Sequence, residues 1–276
     1  MMRAASTSPI TKGYASGSRR LATVRKKIRL AQQSRNSLIV PATARHGLVT
    51  TRPLEVRWRL DPLVVPAEVE REVERVWRAA AARRPLHDAP VLAFVGLEGG
   101  TLWGRFVGYR YFVAQRDSGW LRGILGIEPV AASALLRVRL PDGEAYALAL
   151  RGADVTQYPH RWDVFPSGGL DAASRQADGT VDVVAQLLRE LEEEARLGAA
   201  SVRNVAWIGL FHDVADGVWD LVYELEVSER PRIGAEHADL RLLAPAELAA
   251  FARTEGSRLA PTSLDILRAR RLVPDA

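Results

Sequence analysis

One long amphipathic helix is predicted in the middle of the chain, between segments that have the short apolar runs of β-strands. Over residues 181–197 the apolar positions recur at spacings of three and four, with Leu187, Leu188 and Leu191 in the stripe. Strands are predicted at 91–95, 102–114, 132–140, 146–151, 162–165, 205–213, 218–227 and 240–243. A helix with one apolar face must bury that face on another layer, so we expect an α/β or α+β sandwich.

Further helices are predicted on both sides of this region. Residues 67–82 carry an amphipathic pattern that ends before Pro85, and residues 245–253 and 262–271 close the chain with two more helices. Pro141-Asp142-Gly143 predicts a hairpin turn between two of the strands. Thr180 is the expected N-cap of the central helix, and Asp182 suits its first turn.

The charge of the chain is divided unevenly. Residues 1–50 hold ten Lys or Arg and no Asp or Glu, whereas the other 226 residues hold 28 basic and 33 acidic groups. We therefore expect a basic, disordered leader over 1–50. Two alternatives stay open: a misassigned start that adds upstream sequence, and a targeting or nucleic-acid-binding arm.

Several classes of protein are excluded by composition. The chain has no cysteine, so disulfide scaffolds, thiolate metal sites and cysteine nucleophiles are ruled out. No apolar run reaches the roughly 18 residues that a membrane span needs, so no membrane partner is expected and a cytoplasmic location is assumed. Apolar residues make up 47% of the 276, which is enough for a substantial core.

Three carboxylates share one face of the central helix. At 100° per residue, Glu190, Glu193 and Glu194 fall within an arc of roughly 100°, while Glu192 points away. Like charges at this spacing destabilise a helix, and a hard divalent cation would offset the repulsion. A solvated acidic face is the alternative explanation for such a run. Gly168-Gly169 directly after a short strand favours the cation, because glycine lets the backbone approach closely.

These two segments resemble the signature of the Nudix hydrolases, Gly-x5-Glu-x7-Arg-Glu-U-x-Glu-Glu-x-Gly-U, in which U is apolar. Residues 189–195 match its helical half position by position, and residues 162–169 look like the strand and glycine pair before it. Three departures stand out. The loop within 171–179 is six residues longer, the first Glu of the signature falls on Val181, and its last Gly is Arg196.

The resemblance implies an α+β fold, an α/β/α sandwich with a mixed central sheet over 129–276. A small N-terminal α/β extension over 51–128 would pack on it. It also implies a pyrophosphohydrolase that uses Mg²⁺ or Mn²⁺ on a nucleoside diphosphate linked to another moiety. By carry-over, Glu193 and Glu194 would be metal ligands, together with the Gly168 carbonyl, and Glu190 a ligand or general base. Arg189 would orient the carboxylates by ion pairing.

A later acidic residue often completes the site in this family. Glu236 is the candidate here for a further metal ligand, with Glu224 and Asp239 as rivals. His160, just before the glycine-pair strand, is a weaker candidate for contact with substrate.

The extension is similar to that of the Nudix proteins of plants and animals that cleave UDP-sugars. Tyr109, Arg110 and Tyr111 are either a stacking and phosphate-pairing surface or part of a buried strand. A nucleotide sugar such as UDP-glucose is the preferred small-molecule substrate. ADP-ribose or another nucleotide is the alternative, as is a non-catalytic nucleotide-sugar sensor. Nucleic acid is not an expected partner except through the leader, and the sequence leaves the oligomeric state open.

Overall fold

The computed structural model describes residues 46–141 and 143–274. Its strands are β1 Gly47–Thr50, β2 Glu55–Arg59, β3 Pro90–Glu98, β4 Thr101–Gly108, β5 Val130–Leu140, β6 Gly143–Arg151, β7 Trp162–Val164, β8 Ser167–Gly169, β9 Val202–Asp213, β10 Val218–Val227 and β11 His237–Leu243. Its α-helices are α1 Ala67–Ala81, α2 Tyr109–Asp117, α3 Gly119–Leu125, α4 Val183–Ala195, α5 Pro245–Glu255 and α6 Pro261–Ala269. Within the described ranges, no helix has the length and apolar character needed to cross a membrane.

A mixed sheet forms the middle layer of the molecule. Its strand order is β1-β9-β10-β5-β6-β11, with β7 paired to β6 and β8 paired to β5. β10 and β5 run parallel, and the other pairs in this sheet are antiparallel. The alternation of side chains across each strand gives the sheet two apolar faces.

Helices cover both of these faces. Leu187 and Leu191 of α4 are fully buried in the cluster that includes Ala132 of β5. On the opposite face, Leu248 of α5 and Ile266 of α6 pack in a separate cluster with strand residues. The expected α+β class and mixed central sheet are confirmed.

A second, three-stranded sheet in the order β2-β4-β3 carries the N-terminal helices. Val69 and Val73 of α1 are fully buried against residues of α2 and α3. This N-terminal unit docks on the central sheet through an aromatic stack, in which the ring centroids of Phe94 and Trp219 are 4.1 Å apart. A backbone hydrogen bond of 2.8 Å from Leu92 N to Leu170 O joins the two parts next to the glycine pair.

The structure corrects three of the expectations about local structure. The strand predicted over 102–114 ends at Gly108, and helix α2 begins at Tyr109, where Asp88 accepts a 2.9 Å hydrogen bond from Arg110 N. The central helix is capped by Asp182 rather than Thr180, because the Asp182 side chain accepts from Ala185 N at 2.9 Å.

The third correction concerns the leader. Residues 47–50, expected to belong to it, form β1 and pair with β9 of the central sheet. The remainder of that expectation falls on residues 1–45, which lie outside the described residues, as does Asp142 of the predicted turn.

The longer loop before α4 is attached to the N-terminal unit. Val181 N donates to Val56 O at 2.9 Å, and Trp58 N donates to Gly179 O at 3.0 Å. The Arg175 guanidinium lies 4.1 Å from the centroid of the Phe106 ring, a cation–π contact. The extra residues therefore connect the acidic helix to the smaller sheet.

Candidate active site

A cleft of about 710 Å³ opens between the N-terminal unit and the central sheet. Its lining includes His87, Tyr109 and Phe112 from the N-terminal unit, Arg151 and residues 152–158 after β6, Ser133, Gly168, Gly169, Glu190, Glu194, Asp163, Asp213, Asp220 and Glu236. Ligand clefts are typically about 300–1,000 Å³, so a nucleoside diphosphate derivative has a suitable volume here. Apart from the exposed Asp154, the acidic side chains of the lining form two groups. The first consists of Glu190, Glu194 and Glu236, and the second of Asp163, Asp213 and Asp220.

Gly168 and Glu190 are in close contact in the first group. A Cβ atom on Gly168 would lie 2.8 Å from Glu190 Oε2 and closer still to Oε1. The absence of a side chain at Gly168 therefore makes room for the Glu190 carboxylate beside β8. Gly169 has no such constraint, because a Cβ there would meet only Val91 Cγ1 at 3.7 Å.

Glu194 is the most deeply buried carboxylate of the acidic helix, at 7% exposure. Its Oε2 accepts a 3.0 Å hydrogen bond from Ser167 N, which fixes the carboxylate against β8. Burial raises the pKa of Glu194 to about 8, and the negative charges of Glu190 and Glu236 act in the same direction. The Ser167 hydrogen bond and the positive charge of Arg151 oppose the shift.

Glu190 is held by a neighbour one helical turn before it. Gln186 Nε2 donates to Glu190 Oε1 at 2.7 Å, a contact of the i,i+4 type. Burial raises the pKa of Glu190 above its usual value; the Gln186 hydrogen bond opposes this, and repulsion from Glu193, Glu236 and Asp171 adds to it.

Arg189 departs from the role that the resemblance implies. Its guanidinium pairs with Asp171 Oδ1 at 3.1 Å and donates to Gln186 Oε1, and no ion pair with a glutamate of the helix is found for it in the described chain. Arg189 is therefore linked to Glu190 through Gln186, whose side chain accepts a hydrogen bond from Arg189 and donates one to Glu190. The i,i+4 spacing of Gln186 and Glu190 was readable in the sequence, although the prediction overlooked it.

Glu236 lies in the loop between β10 and β11 and reaches the same cleft. The loop is fixed by hydrogen bonds from Gly152 N to Glu236 O at 2.8 Å and from Gly234 N to Glu194 O at 2.7 Å. Both rivals lie elsewhere. Glu224 is buried and pairs with Arg270 at 2.8 Å, whereas Asp239 is exposed and does not line the cleft.

Two other predicted residues lie outside the cleft lining. Glu193 is exposed, and its charge acts on Glu190 from the rim. His160 is also exposed, in a left-handed conformation with φ of 60°.

The three aromatic and basic residues at 109–111 begin helix α2, so the buried-strand alternative is wrong, and the three side chains differ in where they point. Tyr109 lines the cleft, and its hydroxyl donates to Thr156 Oγ1 at 3.0 Å. Tyr111 points away and donates to Glu70 at 2.7 Å, while Arg110 pairs with Glu70 at 2.9 Å. Only Tyr109 is therefore available to contact a ligand.

The first acidic group has the donor chemistry of a magnesium site. Carboxylate and main-chain carbonyl oxygens are the ligands that Mg²⁺ prefers, and a cation would offset the burial and repulsion that raise the pKa of Glu194. No three Asp, Glu or His side chains of the described residues are grouped closely enough to hold an ion by themselves. Mg²⁺ commonly takes one or two carboxylates and completes its shell with waters and phosphate oxygens, so these residues fit it.

The second acidic group consists of Asp163, Asp213 and Asp220, which the sequence prediction missed. Asp213 Oδ1 accepts from the backbone N–H groups of Ala215 and Asp216 at 3.0 and 3.1 Å, and Oδ2 accepts from the Tyr158 hydroxyl. Asp163 accepts from Arg151 at 3.1 Å and from the Ser263 hydroxyl.

Asp220 is less well satisfied than the other two. Its Oδ2 accepts from Ser133 Oγ at 2.8 Å, and its Oδ1 is buried without a hydrogen-bond partner. Burial raises the pKa of Asp220 to about 7, and the charges of Asp163 and Asp213 add to this rise. An acidic residue inside the otherwise apolar run 218–222 was the one available signal in the sequence.

Comparison with known proteins gives a likeness in structure only. No family model matches the sequence, and no curated protein matches it. The NUDIX domain of Shewanella oneidensis NrtR, solved with ADP-ribose, is 15% identical, with a TM-score of 0.40 over 52% of this chain and 86% of that one. The Nudix hydrolase RenU of M. smegmatis is 20% identical, with a TM-score of 0.37 over 52% and 85%.

A third similar structure is the MutT protein of Methanosarcina mazei, at 16% identity and a TM-score of 0.38 over 52% of this chain and 94% of that one. Scores at this level carry no weight for function.

Proposed function

We propose that this chain is a metal-dependent pyrophosphohydrolase of the Nudix type, acting on a nucleoside diphosphate linked to another moiety. The observation that carries the proposal is the convergence of Glu190, Glu194 and Glu236 beside Gly168 in one cleft, where burial and the charges of Glu190 and Glu236 raise the pKa of Glu194. Gly168 belongs to the first half of the signature that the sequence resembles, and Glu190 and Glu194 belong to its helical half. A solvated acidic face would not bury Glu194 to 7% exposure.

Hydrolysis of a diphosphate adds water across the P–O–P linkage. The water oxygen forms a bond to one phosphorus as the bridging oxygen leaves, and a base accepts the water proton. Mg²⁺ or Mn²⁺, when bound, would neutralise the diphosphate and polarise it. One or two of the carboxylates Glu190, Glu194 and Glu236 would hold the metal together with the Gly168 carbonyl, and water and phosphate oxygens would complete its shell. Glu193 would add negative charge from the rim.

The remaining residues position these groups. Ser167 N fixes Glu194, and Gln186 fixes Glu190, which is the residue placed to accept the proton when it is not a ligand. Arg151 lines the cleft and lies close enough to lower the pKa of Glu194, so its positive charge can pair with a phosphate oxygen.

A nucleotide sugar such as UDP-glucose is the substrate that we prefer, with ADP-ribose as the alternative. The preference rests on the extent of the cleft beyond the carboxylates, where Thr156, Gln157 and Tyr158 add side chains that can hydrogen-bond to hydroxyl groups. Tyr109 offers an aromatic face on the same side of the cleft.

The test is turnover of UDP-glucose, ADP-ribose and diadenosine polyphosphates by the full chain, with Mg²⁺ or Mn²⁺ and with EDTA. Wild type should release phosphorylated products only with metal, and Glu190→Gln and Glu194→Gln should each lower kcat at least about 100-fold. Glu192→Gln is the matched control, since Glu192 is exposed on the same helix and outside the cleft.

The same variants separate an enzyme from a sensor. Mg²⁺ should raise the melting temperature of wild type and of Glu192→Gln, and should leave Glu194→Gln unchanged. Binding of UDP-glucose without turnover, and without any dependence on Glu190 or Glu194, would contradict the enzyme and favour the sensor.

A further inference from the structure

The second acidic group in the cleft has no part in the proposed chemistry. The charges that act on Asp220 come from Asp163 and Asp213, whereas those that act on Glu194 come from Glu190, Glu236 and Arg151. The two groups therefore occupy separate neighbourhoods of one cleft, with Arg151 between them through its ion pair with Asp163 at 3.1 Å. A bound diphosphate would be repelled by the second group and attracted to Arg151 and the metal.

Two members of this second group have structural roles that use both of their oxygens. Asp213 holds the turn after β9 through two backbone N–H groups and also accepts from Tyr158, and Asp163 joins Arg151 to Ser263. Asp220 is different, because Ser133 is its single hydrogen-bond partner in the described structure and its Oδ1 is buried without one.

An unsatisfied buried carboxyl oxygen is costly, and strand positions of this kind are ordinarily apolar. Asp220 lies on β10 between the buried residues Trp219 and Leu221, and it lines the cleft. A carboxyl group kept at that cost on the wall of a ligand cleft is explained when a ligand supplies the missing hydrogen-bond donor.

We infer that Asp220 is a specificity-determining residue of this cleft, which accepts hydrogen bonds from hydroxyl or amino groups on the part of the ligand beyond the diphosphate. This inference rests on the proposed function, since it assumes that the first acidic group binds the diphosphate. The ligand group must be a donor, because a second phosphate would meet three carboxyl groups. Sugar hydroxyls and the N–H groups of a base share this chemistry.

The test compares Asp220→Asn and Asp220→Leu with Glu224→Gln. Glu224 is a matched control, because it is a buried acid on the same strand, outside the cleft and paired with Arg270. Binding of UDP-glucose and of ADP-ribose to the full chain is measured by calorimetry with Mg²⁺, and KM and kcat are measured for any probe that is turned over.

We expect Asp220→Leu to weaken binding and raise KM about tenfold or more, because a hydrogen bond to a charged group is lost. The kcat of this variant should stay within about threefold of wild type. Asp220→Asn should have a smaller effect, since its amide oxygen still accepts. Without ligand, the melting temperature of Asp220→Asn should equal or exceed that of wild type, because an unpaired buried carboxyl is removed. Glu224→Gln should lower the melting temperature and leave KM unchanged.

Analogues distinguish the two sources of the donor. If Asp220 contacts the distal sugar, UDP-glucose with one hydroxyl replaced by fluorine should lose affinity for wild type and show no further loss for Asp220→Leu. If Asp220 contacts the base, wild type should bind IDP-ribose more weakly than ADP-ribose, and Asp220→Leu should bind the two equally.

Two results would overturn the inference. If Asp220→Leu leaves binding and KM unchanged while the protein still turns the probe over, the role of Asp220 is rejected and the proposed function is not. No binding of either probe to wild type would reject the inference and the proposed function together.

Discussion

The space beside Gly168 is filled by the carboxylate of Glu190. A methyl group at Gly168 would displace a flexible side-chain end and no backbone, so the fold should tolerate it. We therefore expect Gly168→Ala to lower kcat roughly 10- to 100-fold, the range found when residues that orient metal ligands are changed. Gly169→Ala is the matched control, since its Cβ would meet only an ordinary contact. Equal kcat in the two variants would refute this role.

Burial of Glu194 makes the stability of the metal-free protein dependent on pH. The pKa of Glu194 is raised from 4.5 in the unfolded chain to about 8 in the fold. The stabilisation of the fold that comes from proton binding at Glu194 is therefore complete below about pH 4.5 and is lost as the pH rises through 8. We expect urea unfolding without metal to show a free energy of unfolding at least about 1.4 kcal/mol lower at pH 8 than at pH 5.

The variant Glu194→Gln should lose most of that dependence. A remaining fall up to about pH 7 is expected, because the pKa values of Glu190 and Asp220 are also raised. Glu192→Gln should behave as wild type. A pH dependence that is the same in all three proteins would show that Glu194 is not the group responsible.

Helix α4 is held at its start by Asp182. Its carboxylate accepts from Ala185 N, so Asp182→Ala should lower the free energy of unfolding by about 1 kcal/mol. Thr180→Ala should cost less than about 0.5 kcal/mol, because the Thr180 hydroxyl contacts only Asp178 in an exposed turn. Thermal or urea unfolding of the two variants checks this, and a larger loss for Thr180→Ala would restore the cap expected from the sequence.

Arg196 ends the same helix in a left-handed conformation, with φ of 56°. Glycine adopts this conformation without the steric cost that other residues have, although it also gains freedom in the unfolded chain. We expect Arg196→Gly to raise the free energy of unfolding by about 0.5 kcal/mol or more. Arg196→Ala keeps the Cβ and should show no gain; if both variants gain equally, the charge of Arg196 is the cause.

Much of the fold could be predicted because its signals are local. The pattern of residues 218–227 predicts β10 with its observed bounds, and the apolar stripe through Leu187 and Leu191 predicts which face of α4 is buried. Helix α2 was not predictable in the same way. Its apolar residues Phe112 and Val113 suit a strand equally well, and the contact that starts the helix comes from Asp88, 22 residues earlier.

The candidate site was also only partly predictable from the sequence. Glu190 and Glu194 follow from helical geometry, and the structure does bring them into one cleft with Gly168 and Glu236. The surroundings of Asp220 depend on four strands coming together, since Asp220 lies on β10, Ser133 on β5, Asp163 on β7 and Asp213 at the end of β9. Which carboxyl groups remain unpaired is a property of the packed structure, and spacing along the chain does not determine it.

The stack of Phe94 on Trp219 has a consequence for how the molecule can be divided. One ring belongs to the smaller sheet and the other to the central sheet, and the cleft likewise takes its walls from both parts. A fragment beginning at residue 129 would remove the Phe94 ring from Trp219 and would lack the side of the cleft that carries Tyr109. We therefore expect such a fragment to lose the packing of Trp219 and one wall of the cleft together, because both come from the contact between the two sheets.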